Sequence, residues 1–252
     1  MATIVIANWK MKLGSRASVA LVALVKKMPT GGAEIVVCPS PPSLEAVSEL
    51  LKGSRIGLGA QDCFWEPHGA YTGAISPENL REIGCSYVII GHSERRLHLG
   101  ETDAMVHRKV VAALAAGLIP IVCIGETFEQ RQEGHQDYVL IQQATRALEG
   151  ITLAKGQQLI IAYEPVWVIG TGQAINPGQA QAAHQVIRQT LIDLFPLETV
   201  EHNIRIVYGG SVDSNNVTDF IGLQHTAGVL VGSASLDAAE FTLLVRAVSV
   251  NR

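Results

Sequence analysis

The sequence predicts an α/β fold closed into a single (β/α)8 barrel. Three observations carry this. Eight short runs rich in Val and Ile recur along the 252 residues, nearly continuous in apolar residues rather than alternating, as parallel strands covered on both faces should be. The runs begin at residues 3, 34, 55, 86, 118, 158, 204 and 227, so successive starts lie between 21 (34 to 55) and 46 (158 to 204) residues apart, room for a helical crossover each time. No linker or low-complexity tract interrupts the series, and barrels of this kind run to this length as one domain, so residues 1–252 are read as one.

In order, the strands are expected at Thr3–Ala7, Glu34–Cys38, Arg55–Ala60, Ser86–Gly91, Leu118–Gly125, Gln158–Glu164, Ile204–Tyr208 and Ala227–Gly232. Helical patterns cover Ser15–Lys27, Ser43–Lys52 after a Pro-Pro turn, a short piece opened by Ser76-Pro77, and Thr102–Ala116 between a Thr cap and Gly117. Asn176-Pro177 opens another, a cap followed by proline at the first helical position, running to about Leu194. Asp213–Phe220 and Leu236–Val248 complete the set; none is assigned between the fifth and sixth strands.

Composition narrows the function. Hydrophobic residues make up 48% and charged residues 17%, as in a globular chain able to bury a large core. The net charge of −4 and the lack of a basic block argue against nucleic acid and acidic membranes as partners. The opening MATIVIANWK lacks a basic region, its apolar run is too short for a signal peptide, and no stretch is long enough to span a bilayer, so a cytoplasmic location is expected. Cys38, Cys63, Cys85 and Cys123 form no CxxC pair and read as free buried thiols. The eight histidines show no HxH or HExxH spacing, most read as helix or loop surface, and no metal is expected.

In such barrels chemistry sits at the carboxyl ends of the strands. Asn8 and Lys10 follow the first strand; His92, Ser93 and Glu94 follow the fourth; Glu164, before Pro165, ends the sixth. Gly209-Gly210-Ser211 and Gly232-Ser233 follow the seventh and eighth. Glycine loops there expose backbone N–H groups to an anion, and the pair after the last two strands is a recurrent phosphate site. A carboxylate at a strand end is a candidate general base. Each residue alone fits a plainer role: a cation partner for Glu164, a solvated Lys10, a capping His92, ordinary turns for the glycines. Their convergence on one rim favours the site.

Six segments, in order, resemble the triosephosphate isomerase family over nearly the whole chain: Asn8-Trp9-Lys10-Met11, Gly91-His92-Ser93-Glu94-Arg95-Arg96, Ala162-Tyr163-Glu164-Pro165-Val166-Trp167, Val168-Ile169-Gly170-Thr171-Gly172, Tyr208-Gly209-Gly210-Ser211 and Val231-Gly232-Ser233. The resemblance implies interconversion of dihydroxyacetone phosphate and glyceraldehyde 3-phosphate, a step of glycolysis and gluconeogenesis, without cofactor or metal. It makes Glu164 the base, neutral His92 the electrophile, Lys10 the fixed positive charge and Asn8 the group that orients the substrate oxygen. Gly170, Ser211, Gly232 and Ser233 would hold the phosphate under a lid at Val166–Ile175. Tyr208 would contact the closed lid, Glu94 would position Lys10, and Thr72, on a long loop at Gln61–Pro77, would reach the partner of a homodimer. The chain departs from the family at Ala74, where a glutamate usually pairs across the dimer with the arginine matching Arg95, and at Lys12, Val168 and Gln173.

Two rivals remain open from the residues alone. An aldolase would need a Schiff-base lysine within the strands, and strands two to eight contain none. A non-catalytic phosphosugar-binding barrel would be free to lose Glu164 or His92; both are present.

Overall fold

All eight apolar runs are strands in the computed structural model, which describes residues 2–250. They are β1 (Ile4–Asn8), β2 (Glu34–Cys38), β3 (Gly57–Ala60), β4 (Tyr87–Ile90), β5 (Ile119–Ile124), β6 (Leu159–Tyr163), β7 (Ile204–Tyr208) and β8 (Gly228–Val231). They pair in parallel in chain order, and β1 closes on β8 from Ile4 opposite Gly228 to Ala7 opposite Val231. Alternation sends neighbouring side chains to opposite faces. One set, with Ile6, Ile89, Ile121, Ile160 and Leu230, packs as the inner cluster. The other, with Val5, Ile35, Val88, Val122 and Ile161, packs beneath the helices. Both faces are apolar, which is why each strand reads as an unbroken run. Several strands are a residue or two shorter than the runs at one or both ends: β3 starts at Gly57 rather than Arg55, and Gly91, Gly125, Glu164 and Gly232 stand just past the strand ends, at the rim.

The helices are α1 (Ser15–Val25), α2 (Leu44–Leu51), α3 (Pro77–Ile83), α4 (Ser93–Leu99), α5 (Asp103–Ala115), α6 (Phe128–Gln132), α7 (Gln136–Leu148), α8 (Pro177–Leu194), α9 (Leu197–Asn203), α10 (Val217–Ile221) and α11 (Ala238–Val250). Thr102 and Asn176, expected as caps, each accept a backbone N–H from the first turn, and Ser76 at the start of α3 does the same. The gap after β5 holds two helices instead of none. The core face of α7 is Val139, Leu140, Ala144, Ala147 and Leu148; two of the five are alanines among glutamines, so the apolar stripe is thin. Helix α10 begins later than expected because Asp213 folds its carboxylate back onto the N–H groups of Asn215 and Asn216. Helix α11 begins at Ala238 because Ser233–Leu236 forms a 3-10 turn.

The end of the barrel that starts the strands is closed by charge. Arg205 Nη1 and Nη2 donate to Glu34 at 2.7 and 3.2 Å, and the Tyr87 hydroxyl donates to the same carboxylate. Burial pushes the Glu34 carboxyl up, and the bonds from Arg205 and Tyr87 outweigh it, holding the group below the usual carboxylate range. A depressed folded-state pKa adds stability above the unfolded-state value that is lost as pH falls through the folded one. Glu34→Gln is therefore expected to lower stability by roughly 2 kcal/mol near pH 7, less than for a fully buried pair because Glu34 is partly exposed. The gap should close toward about pH 3. Urea denaturation of both proteins at the two pH values checks this; a gap of constant size would count against it.

Candidate active site

The chain leaves β1 through Lys10 in a left-handed conformation, φ 50°, rare for a residue with a Cβ. Two contacts hold it there. The Lys10 N–H donates to Asn8 Oδ1 at 3.0 Å, and its carbonyl accepts from Gln61 Nε2 at 2.8 Å. The same Gln61 amide donates to the carbonyl of Cys38 at 2.9 Å, tying the ends of β1, β2 and β3 together. The ammonium of Lys10 donates to Glu94 Oε1 at 2.6 Å. Burial pushes the Glu94 carboxyl up, but the bond to Lys10 wins and holds it below the usual range, so it stays an anion beside the lysine.

His92 caps the short helix α4, and its Nδ1 accepts the Glu94 N–H at 3.2 Å. An accepting Nδ1 is unprotonated, which puts the proton of the neutral ring on Nε2. That nitrogen lies 3.1 Å from Glu164 Oε1. Glu164 follows β6 and is 1% exposed. Its Oε2 accepts the Ser93 N–H at 2.9 Å, while Oε1, though close to His92 Nε2, is not aligned to accept a hydrogen bond from it and has none among the described residues. Gly209 stands where a Cβ would come within 3.1 Å of Glu164 Cγ, so the first glycine of the seventh loop clears space for the carboxylate.

A cavity of about 350 Å³ opens over this pair, and Asn8, Lys10, His92, Glu164, Gly170, Ser211, Gly232 and Ser233 all line it. The structure thus brings together eight of the residues singled out in the sequence. A Cβ on Gly232 would lie 3.5 Å from Lys10 Cε, so the eighth loop and the lysine share one wall. The 3-10 turn after Gly232 and the positive φ of Gly170, 77°, leave backbone N–H groups free of ladder bonding at an anion-sized opening.

The remaining three lie outside that wall. Glu94 acts on Lys10 from the side. Tyr208 lies beneath, stacked on Phe220 at 4.0 Å between ring centroids. Burial pushes its phenol above the usual range, with the Ile175 backbone pulling the other way, and a Cβ on Gly210 would meet its hydroxyl. Thr72 is exposed on its loop, away from the cavity of its own chain.

Segment Val166–Ile175 covers the cavity, with Ile169 to Gly172 as wall. Its first end is anchored by Trp167 Nε1 donating to Glu126 Oε1 at 3.1 Å. Glu126 is wholly buried and also takes the hydroxyl of Tyr163 at 3.2 Å and Nη1 of Arg131 at 3.2 Å. The sequence reading passed over Gln61 and Glu126, although both stand within two residues of a strand's carboxyl end, where the other candidates were found. It also passed over the group behind His92. There Arg95 pairs with Asp62 at 2.8 Å and with Glu101, Lys109 bridges Asp62 at 2.7 Å and Glu101 at 3.1 Å, and Glu101 accepts the Gly91 N–H at 3.2 Å. Burial pushes Asp62 upward against the pull of Lys109. Arg95, which has no glutamate at position 74 to pair with, is satisfied within its own chain.

Two readings of single residues are settled by burial. All four cysteines are free and buried, and burial pushes the thiols of Cys63 and Cys85 up to about 12. His184 departs from the general reading of most histidines as helix or loop surface: it is fully buried on α8, its Nδ1 2.7 Å from the Thr226 hydroxyl, and burial and then His225 bring it down to about 3.

What the rim offers is a carboxylate and a neutral imidazole in contact, beside a fixed ammonium and an anion-sized opening. Fold and rim together define a (β/α)8-barrel enzyme of the acid–base kind. Comparison with known proteins gives the family. The family model described as triosephosphate isomerase matches residues 3–248. A triosephosphate isomerase of Thermoanaerobacter sp. is 45% identical over 243 residues, covering 96% of this chain and 98% of the relative. That of Geotalea uraniireducens is 47% identical over 247 residues, covering 96% and 97%. The crystal structure of triosephosphate isomerase from Bartonella henselae superposes with a TM-score of 0.84 at 34% identity, covering 98% of this chain and 99% of that one. The chain belongs to the triosephosphate isomerase family, and it is an isomerase.

Proposed function

We propose that this chain interconverts D-glyceraldehyde 3-phosphate and dihydroxyacetone phosphate through an enediolate, with Glu164 as base and His92 as electrophile. The 3.1 Å approach of His92 Nε2 to Glu164 Oε1 over the glycine-lined cavity carries the reading. A substrate between them would present a carbon-bound proton to the carboxylate and an oxygen to the imidazole N–H. On substrate arrival Glu164 gives up the Ser93 N–H, which frees a lone pair for that proton. It removes the proton beside the carbonyl and returns it to the neighbouring carbon. His92 donates Nε2–H to the carbonyl oxygen on which charge develops and takes up the proton of the neighbouring hydroxyl, so the two oxygens exchange roles and the imidazole ends neutral, while Lys10 stabilises the charge through a pre-set ammonium. Asn8 orients the same oxygen. Gly170, Ser211, Gly232 and Ser233 hold the phosphate dianion, and Val166–Ile175 closes above it to keep water from the intermediate, which would otherwise eliminate phosphate. No cofactor or metal enters these steps.

A homodimer in the cytoplasm is part of the same proposal. Met11 is 93% exposed, Leu97 72% and Leu99 66%, and Met11 and Leu99 border a cavity of about 680 Å³ beside the Thr72 loop. A second copy would cover these side chains and bring its own Thr72 toward the catalytic group. No helix among the described residues is long and apolar enough to cross a membrane.

The test is a coupled assay of purified protein on glyceraldehyde 3-phosphate in EDTA, beside a Glu164→Asp control, with sedimentation velocity on the same sample. Rapid formation of dihydroxyacetone phosphate that collapses in the control supports the base. Folded but inactive protein would favour a phosphosugar-binding barrel without catalysis.

A further inference from the structure

At the end of the barrel opposite the catalytic rim lies a second cavity of about 500 Å³, a size suited to a small metabolite. Arg188 and Leu191 of α8, Val200 and Glu201 of α9, and Arg205 and Ile206 of β7 form part of its wall, and His225 and Thr226 close it before β8. Its charges are unevenly used. Both terminal nitrogens of Arg205 are spent on Glu34, one also on Gln158, yet its Nε–H is buried with no acceptor among the described residues. A buried donor left unpaired is unfavourable. Among the described residues the carboxylate paired with Arg188 is Glu201, at 3.6 Å, beyond hydrogen-bond reach. The Thr226 hydroxyl is taken by His184. His225 is held at φ 67°, where residues with a Cβ rarely sit.

We propose that this cavity binds a small organic monocarboxylate, with its two oxygens on the Arg188 guanidinium and its apolar body against Leu191, Val200 and Ile206. The planar fork of arginine matches two carboxylate oxygens, and Arg188 has no hydrogen-bonded partner among the described residues. Glu34 neutralises Arg205 and Glu201 faces Arg188, so the wall carries no surplus positive charge and a single negative charge is tolerated better there than two. The aliphatic lining favours a ligand with an apolar body over inorganic phosphate.

The experiment uses the full chain and 4-fluorobenzoate as probe, followed by fluorine NMR and calorimetry, with inorganic phosphate present in excess to occupy the catalytic rim. Wild-type protein is expected to bind the probe by about 10 mM. Arg188→Gln should weaken binding by about tenfold or more, and Arg188→Lys, which keeps the charge and loses the fork, by several-fold. The uncharged 4-fluorobenzyl alcohol should not bind. The proposal is overturned if the wild type shows no binding, if phosphate displaces the probe, if the alcohol binds as well, or if either Arg188 variant binds like the wild type. Should Arg188→Gln fail to fold, the affinity of Arg188→Lys decides.

Discussion

Glu164→Gln is expected to reduce kcat by about 10³-fold, within the range that general acid–base groups contribute, and to leave KM nearly unchanged. Glutamine has the shape of glutamate, and its amide oxygen can still accept the Ser93 N–H that holds Oε2 at 2.9 Å. What it lacks is the ability to accept a carbon-bound proton. Phosphate binding is assigned to Gly170, Ser211, Gly232 and Ser233, which the substitution leaves alone. Stability should not fall, because the variant removes a charge that is 1% exposed and has one oxygen without a donor. Steady-state kinetics and thermal melting of the same preparation separate the possibilities. A raised KM with kcat intact would mean that Glu164 only helps to bind substrate, and the mechanism proposed above would be wrong.

The barrel and much of its rim were legible because both follow from local rules. Strands buried on two faces read as continuous apolar runs, and residues just past them must stand at the mouth. Asn8, Lys10, His92 and Glu164 are found by that rule, and their meeting in one cavity needs only barrel closure. Gln61 and Glu126 obey the same rule but carry no recognisable chemistry in isolation; their value comes from what they hold, the Lys10 backbone and Trp167. His184 had a usable signal, since it falls on the stripe Ala180, Ala183, Ile187 and Leu191, but most of the histidines were read together as surface, and a polar residue on an apolar face shows its place only once its partner is known. Asp62, two residues past β3, obeys the rule as well, but its partner could not be read. Its pairing with Arg95 joins a loop to a helix more than thirty residues away, and only the folded chain shows that Arg95 has a carboxylate within its own subunit despite Ala74. Helix α7 escaped because alanine buries a face without announcing it.

The second large effect is expected at Gly125, on the path between β5 and Glu164. A Cβ there would sit 1.6 Å from the carbonyl oxygen of Glu164 and 2.5 Å from its carbonyl carbon, so no side-chain rotation could relieve the overlap. The two backbones would have to separate, breaking or stretching the bonds from Glu164 N to Ile124 O at 2.8 Å and from Val166 N to Glu126 O at 3.1 Å. Gly125 cannot yield alone either, because Gln143 grips its N–H at 2.8 Å and its carbonyl at 3.2 Å. Gly125→Ala is therefore expected to destabilise the fold by about 3 kcal/mol, a fall in Tm of roughly 6–12 °C for a chain of this size. The strain falls on the catalytic carboxylate, so kcat of the folded fraction should drop about 10²-fold, as for a base displaced by about 1 Å. Gly134→Ala is the control. Gly134 also has a positive φ, 75°, but a Cβ there meets nothing within 4 Å, so it should cost about 1 kcal/mol and leave kcat intact. If the two variants lost stability alike and neither lost turnover, the close passage of β5 beside Glu164 would not be what sets the position of the base.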